Sequence, residues 1–158
     1  MTLLRVFLLP LLVLLLYVPY SRAQTIDPAV TEAAQCNGIL KGDAVADFVV
    51  GNADADKLEE VFLVANAYLM ANYKRNSEAL GGGRLATYEK LSAESLDYIV
   101  AKADNNAFDT QVYEQVLGCY HAVTRYLLMY GVGDVDKTVV EGATRNQVEN
   151  VKILLSRR

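Results

Sequence analysis

From residue 28 onward the apolar positions of this chain recur at helical spacing, after an opening stretch that is apolar almost without interruption. Val30, Ala33, Cys36 and Leu40 share one helical face behind Pro28, a residue suited to a first turn. A short second segment carries Val45, Phe48 and Val49, and Gly51-Asn52 ends it. Asp56-Lys57-Leu58-Glu59 has the form of a capping box. Behind it Leu58, Val61, Phe62, Ala65, Tyr68, Leu69 and Tyr73 make an amphipathic stripe that lasts to about Asn76.

Gly81-Gly82-Gly83 breaks the pattern, because consecutive glycines hold a helix poorly. Leu85, Tyr88 and Leu91 open the next stretch, Ser92 is placed to recap it, and Leu96, Ile99, Val100 and Ala103 continue its apolar face. The widest apolar arc belongs to 109–130, where Val112, Val116, Cys119, Val123 and Tyr130 recur and Leu117, Tyr120 and Leu128 broaden the stripe. That breadth predicts the central helix, closed by Gly131 at a C-terminal cap. A last helix opens near Thr138-Val139-Val140-Glu141, a second capping box, and places Val140, Ala143, Val148, Val151 and Leu155 inward. Arg157-Arg158 suits the negative end of its dipole. Long alternating runs, internal repeats and Pro-rich linkers are missing from the sequence. The expected fold is all-α: one domain over 24–158, a bundle of about five helices.

The opening 23 residues change the picture by adding an address. Arg5 gives a positive start, Val6–Val18 an apolar run of 13 residues containing Pro10, and Ser21-Arg22-Ala23 small residues at −3 and −1 of a cleavage site before Gln24. That is the layout of a secretory signal peptide, 1–23, and the run is short of the roughly 20 residues that cross a bilayer. No stable membrane insertion is expected after cleavage. Loss of Arg5 and Arg22 leaves 13 basic against 19 acidic residues, so the net charge falls from −4 to about −6. Such a chain repels phosphate backbones, which argues against a nucleic-acid partner.

In an oxidising compartment Cys36 and Cys119, the two cysteines of the chain, are expected to pair. The bridge closes a loop of 83 residues, for which chain entropy gives roughly 4.5 kcal/mol. Gly38 and Gly118 lie beside these cysteines and predict a close crossing of the first and central helices there. With one disulfide, long helices and no Asn-x-Ser/Thr sequon, the chain suits a bacterial periplasm, with secretion as the alternative.

Chemistry is sparse. His121 is the single histidine and stands two residues from Cys119, which on a helix turns the two about 200° apart, so no metal site is expected. Gly81-Gly82-Gly83-Arg84 lacks the ending of a P-loop and follows a helix instead of a strand. Carboxylates such as Glu59, Glu89, Glu94 and Asp97 fall on polar helix faces or near helix starts. No catalytic motif, metal or cofactor is expected. Eight tyrosines remain after processing, with no tryptophan. Tyr113, Tyr120, Tyr126 and Tyr130 lie along the expected central helix and are the candidate binding residues, since tyrosine is enriched at recognition surfaces; the alternative is that they edge the core with their hydroxyls in water.

These features favour an exported, non-catalytic protein-binding or accessory protein of the cell envelope: an accessory subunit, an inhibitor or immunity factor, or a stress holdase. Its partner would be another envelope or secreted protein. The alternative is a carrier of a small apolar or aromatic ligand in a tyrosine-lined pocket between helices. A hydrolase would need two inward carboxylates in one cleft.

Overall fold

Aspartates start four of the helices. In the computed structural model, which describes residues 26–80, 84–131, 133 and 135–156, Asp27 accepts from the amides of Ala29 and Val30 to open α1, Pro28–Val49. Asp54 accepts from the Lys57 amide at 2.8 Å and opens α2, Ala55–Leu80. Asp109 caps α4, Thr110–Tyr130, and Asp136 caps α5, Lys137–Leu155. Each carboxylate satisfies amides that the first helical turn leaves without a partner. α3, Leu85–Asp104, begins at Arg84 without a side-chain cap. The signal segment, the three glycines and Arg157-Arg158 lie outside the described residues.

The expected boundaries move in three places. Both capping boxes are read two residues late, because Asp54 and Asp136 accept the amides in place of Asp56 and Thr138. The short second segment does not exist: α1 runs unbroken through Gly38 and Gly42 to Val49. Ser92 is not a recap. It is buried inside α3 and its hydroxyl donates to Asn37 Oδ1.

Five helices and no strand make up the described residues, an all-α bundle. The central helix is α1, not the expected α4. α1 packs on α2, α3 and α4, whereas α5 rests on α2. Small side chains explain the reversal: Ala33, Ala34, Gly38, Gly42 and Ala44 are all buried, so neighbours close in on α1 from several sides. α4 buries only the narrow row Val112, Val116, Cys119 and Val123, and leaves Tyr113, Leu117 and Leu128 exposed.

The close crossing is real but has another partner. A β-carbon at Gly38 would meet the Ser92 carbonyl and stand 2.7 Å from Ser95 Cβ, and one at Gly42 would stand 2.7 Å from Ile99 Cβ. One turn apart, these glycines let the α3 backbone lie against α1. Gly118 has no neighbouring atom within 4 Å of that position and plays no part. The staple itself is present: Cys36 and Cys119 are disulfide-bonded, with Cα atoms 5.1 Å apart, and tie α1 to α4. The largest buried side chains of the bundle core are Tyr88, Phe62, Leu40 and Leu58, from α3, α2 and α1, each almost fully buried.

Candidate functional site

α3 and α5 pack on their neighbours instead of on each other, and the space between them is a cleft. Its volume is about 400 Å³. α1 and α2 supply the floor, α3 one wall through Leu85, Ser92 and Leu96, and α5 the other through Val140, Ala143 and Val151. Most of the wall is aliphatic. The floor is not.

Two residues on the buried face of α1 are polar, Asn37 and Lys41, one helical turn apart. Opposite them α2 contributes Asn66, also buried. Lys41 Nζ donates to Asn66 Oδ1 at 2.6 Å, and Asn37 Nδ2 donates to the same oxygen at 3.3 Å. Asn66 Nδ2 in turn donates to Thr144 Oγ1 at 3.0 Å and Gln147 Oε1 at 3.1 Å, both on α5. With Ser92 donating to Asn37, the network joins four helices. Buried polar groups demand such partners, and among the described residues no buried side-chain nitrogen or oxygen lacks one.

Lys41 is the unusual member. It is 4% exposed, its ammonium stands 5.3 Å from the Phe62 ring centroid, and its one hydrogen-bond acceptor is a neutral amide. Burial disfavours the charged form and pulls its pKa down from 10.5 to about 7, against the opposing pull of the Glu89 carboxylate. Glu89 is exposed at the edge of the cleft and makes no ion pair with it. Ion pairs join Lys57 to Glu60, Lys90 to Glu94, Lys137 to Glu141 and Lys152 to Glu149, each within one outer helix face. A cleft with a lysine donor at its base and aliphatic walls can hold one acceptor-bearing head and the hydrocarbon attached to it.

The expected tyrosines lie elsewhere, and none lines this cleft. Tyr126 stacks edge-on against Tyr68 at 5.2 Å and tilts against Tyr130 at 5.0 Å; the Arg75 guanidinium lies 4.1 Å from the Tyr130 ring centroid. With Ala71 and Lys74 they border a shallow depression of about 340 Å³. Tyr120 is separate. Its hydroxyl donates to Asp43 Oδ2 at 3.4 Å, and burial first, then the Asp43 charge, pushes its pKa up to about 12. Tyr113 is exposed and stands 13 residues before Tyr126, about 20 Å along the helix. The structure therefore brings two of the four together. A third depression, between α3 and α4, has the Cys36–Cys119 bridge in its lining.

Apolar spacing alone does not reveal the cleft, because Asn37, Lys41 and Asn66 interrupt the apolar stripes as polar positions. A signal exists: Asn37 and Lys41 continue the row of Val30, Ala33 and Ala34 at four-residue spacing, where a polar residue must be buried. Comparison with known proteins adds nothing to this geometry, for no protein family, curated protein or solved structure matches the chain.

Proposed function

We propose that the protein is an exported, non-catalytic carrier that holds a small ligand with an apolar body in the cleft between α3 and α5. One observation carries the reading: aliphatic walls converge on a buried polar floor in a cleft of about 400 Å³, within the range of small-molecule sites, roughly 300–1,000 Å³. The carrier expected from the sequence thus keeps its place between helices, with Lys41, Asn37 and Asn66 in the part first given to tyrosines. The Cys36–Cys119 bridge suits an oxidising compartment. The signal-like opening residues support export, and the single disulfide, long helices and lack of an Asn-x-Ser/Thr sequon favour the periplasm, with secretion as the alternative. Among the described residues no helix is long and apolar enough to cross a membrane.

Native mass spectrometry of the mature protein, isolated gently from its own envelope, tests this. A small-molecule mass on the wild type that is missing from Ala143→Trp, which fills the cleft from its α5 wall, is the expected result. A wild-type protein that carries no small molecule and takes up no alkyl amphiphile at millimolar concentration overturns it.

Docking of another envelope protein is the second reading, favoured by the outer flank of α4. Tyr113, Leu117 and Leu128 share one side of that helix and are exposed, Leu128 by 83%. In-cell crosslinking through this flank should give a stoichiometric protein adduct that Leu117→Lys/Leu128→Lys abolishes; an unchanged adduct pattern would remove this reading.

A further inference from the structure

The base of the cleft contains a buried lysine without an ion-pair partner among the described residues: Glu89, exposed at the cleft edge, acts on it only from a distance. Lysines are almost never buried unless paired, because a desolvated charge without a counterion is costly. Lys41 is buried, its hydrogen bond goes to the neutral Asn66 Oδ1, and the ion pairs Lys57–Glu60, Lys90–Glu94, Lys137–Glu141 and Lys152–Glu149 all lie on outer faces away from it. An ammonium has three donors, so two remain for a ligand. The neighbouring groups on the floor, Asn37, Asn66 and Gln147, are neutral amides. With Glu89 solvated at the rim, the single buried ammonium can pair in contact with one negative charge; a dianion such as a phosphate monoester would leave a net buried charge.

Resting on the carrier reading above, we infer that the ligand is a small monocarboxylate with an alkyl or aryl body, seated head-down on Lys41. Its carboxylate accepts from Lys41 Nζ and supplies the counterion the fold omits. Its hydrocarbon lies against Leu69, Leu96, Val140 and Val151.

Binding is then linked to protons. Lys41 and Glu89 are the titratable residues lining the cleft; the other polar groups facing Lys41 are Asn37 from α1, Asn66 from α2, Ser92 from α3, and Thr144 and Gln147 from α5. Burial places Lys41 near neutrality when the cleft is empty, and a bound carboxylate favours its charged form. An anionic ligand is therefore held best below about pH 7 and progressively less well above it, while a neutral ligand of the same length is indifferent to pH.

Calorimetric titration of the mature, disulfide-intact protein with decanoate, decanol and decylamine at about pH 6 and pH 9 tests this. Decanoate stays ionised at both, since carboxyl groups titrate near pH 4. At pH 6 decanoate should bind at least tenfold more tightly than decanol and decylamine least, with roughly fourfold gained per methylene from octanoate to decanoate. At pH 9 decanoate should lose tenfold or more and decanol nothing. Lys41→Met should erase the preference for decanoate while keeping decanol affinity; should that variant misfold, the wild-type comparison of the two ligands at two pH values decides alone. Decanol binding as tightly as decanoate at both pH values sinks the carboxylate and leaves the carrier standing. No binding of any of the three sinks both.

Discussion

Lys41 sits where a hydrophobic residue would be the ordinary choice, and its burial has a measurable consequence for the fold. The folded state lowers its pKa from 10.5 to about 7 by desolvation, so between those values the unfolded chain binds the extra proton. Stability then rises with pH across that window: the penalty is full below about pH 7, where the buried amine must carry its charge, and is relieved as pH approaches 10.5. Such a shift corresponds to a few kcal/mol, about 1.4 kcal/mol per unit. Urea unfolding of Lys41→Met, in the absence of ligand, should show a more stable protein at about pH 6.5 and a gap that narrows towards pH 9.5. A gap that stays constant would mean that Lys41 keeps its charge in the fold. Tyr88 offers a second residue-level test. Its ring is 1% exposed and its hydroxyl accepts from the Asp27 amide at 3.1 Å, fixing the start of α1. Tyr88→Phe leaves that amide without its partner and should lower stability by about 1 kcal/mol, read as a loss of a few degrees in Tm.

At the scale of the element, the glycines separate into two kinds that the sequence presents as equivalent. Gly38 and Gly42 lie under the α3 backbone, and an added β-carbon at either falls inside contact distance of atoms that cannot swing aside. Gly38→Ala is expected to part α1 from α3 and cost more than about 2 kcal/mol, in the range of overpacked core positions. Gly118 has open space in front of it, so Gly118→Ala removes only a poor helix former and should stabilise by up to about 1 kcal/mol. Thermal melts of the two variants should move in opposite directions; parallel shifts would place the crossing elsewhere. The caps tell a similar story of position. Asp54 and Asp56 both stand near the start of α2, and Asp136 and Thr138 near the start of α5, so sequence spacing alone admits two registers. The backbone selects between them, since Asp136 is extended, with φ −66° and ψ 103°, and its carboxylate can turn back onto the first turn. Asp136→Ala should cost about 1 kcal/mol and speed amide exchange at Thr138 and Val139 well before it reaches α1.

The whole molecule depends on one helix with small faces and one covalent tie. The Cys36–Cys119 bridge spans 83 residues and holds α4 to α1, where α4 otherwise buries only the row Val112, Val116 and Val123 and Tyr120 reaches Asp43 at 3.4 Å. Replacing both cysteines by serine should remove about 2–5 kcal/mol, visible as a lower urea midpoint for the double variant than for the oxidised protein. An unchanged midpoint would show that α4 is held by its packing alone. Helical periodicity was enough to predict an all-α chain and roughly where its helices lie, because a helix displays its buried stripe as a spacing of three and four. It also suggested a break before Val45 that α1 does not have, and placed Leu117, Leu128 and Ala143, all exposed, on apolar faces. Two thiols in one small domain, with an oxidising compartment expected, were enough to predict their pairing. Which helix would be central was not readable, because breadth of apolar surface on α4 resembles burial, while the small residues of α1 announce only room. The cleft was not readable either, since Asn37 and Lys41 come from α1, Asn66 from α2, Ser92 from α3 and Thr144 from α5. Each of these reads as an ordinary polar residue within its own helix. The sequence by itself determined the elements and the tie between them, because those follow from local spacing and from chemistry that two residues carry alone. Only the tertiary structure decided that Gly38 and Gly42 face α3 and that Lys41 is sealed beneath an open cleft, because both depend on what the other helices bring against α1.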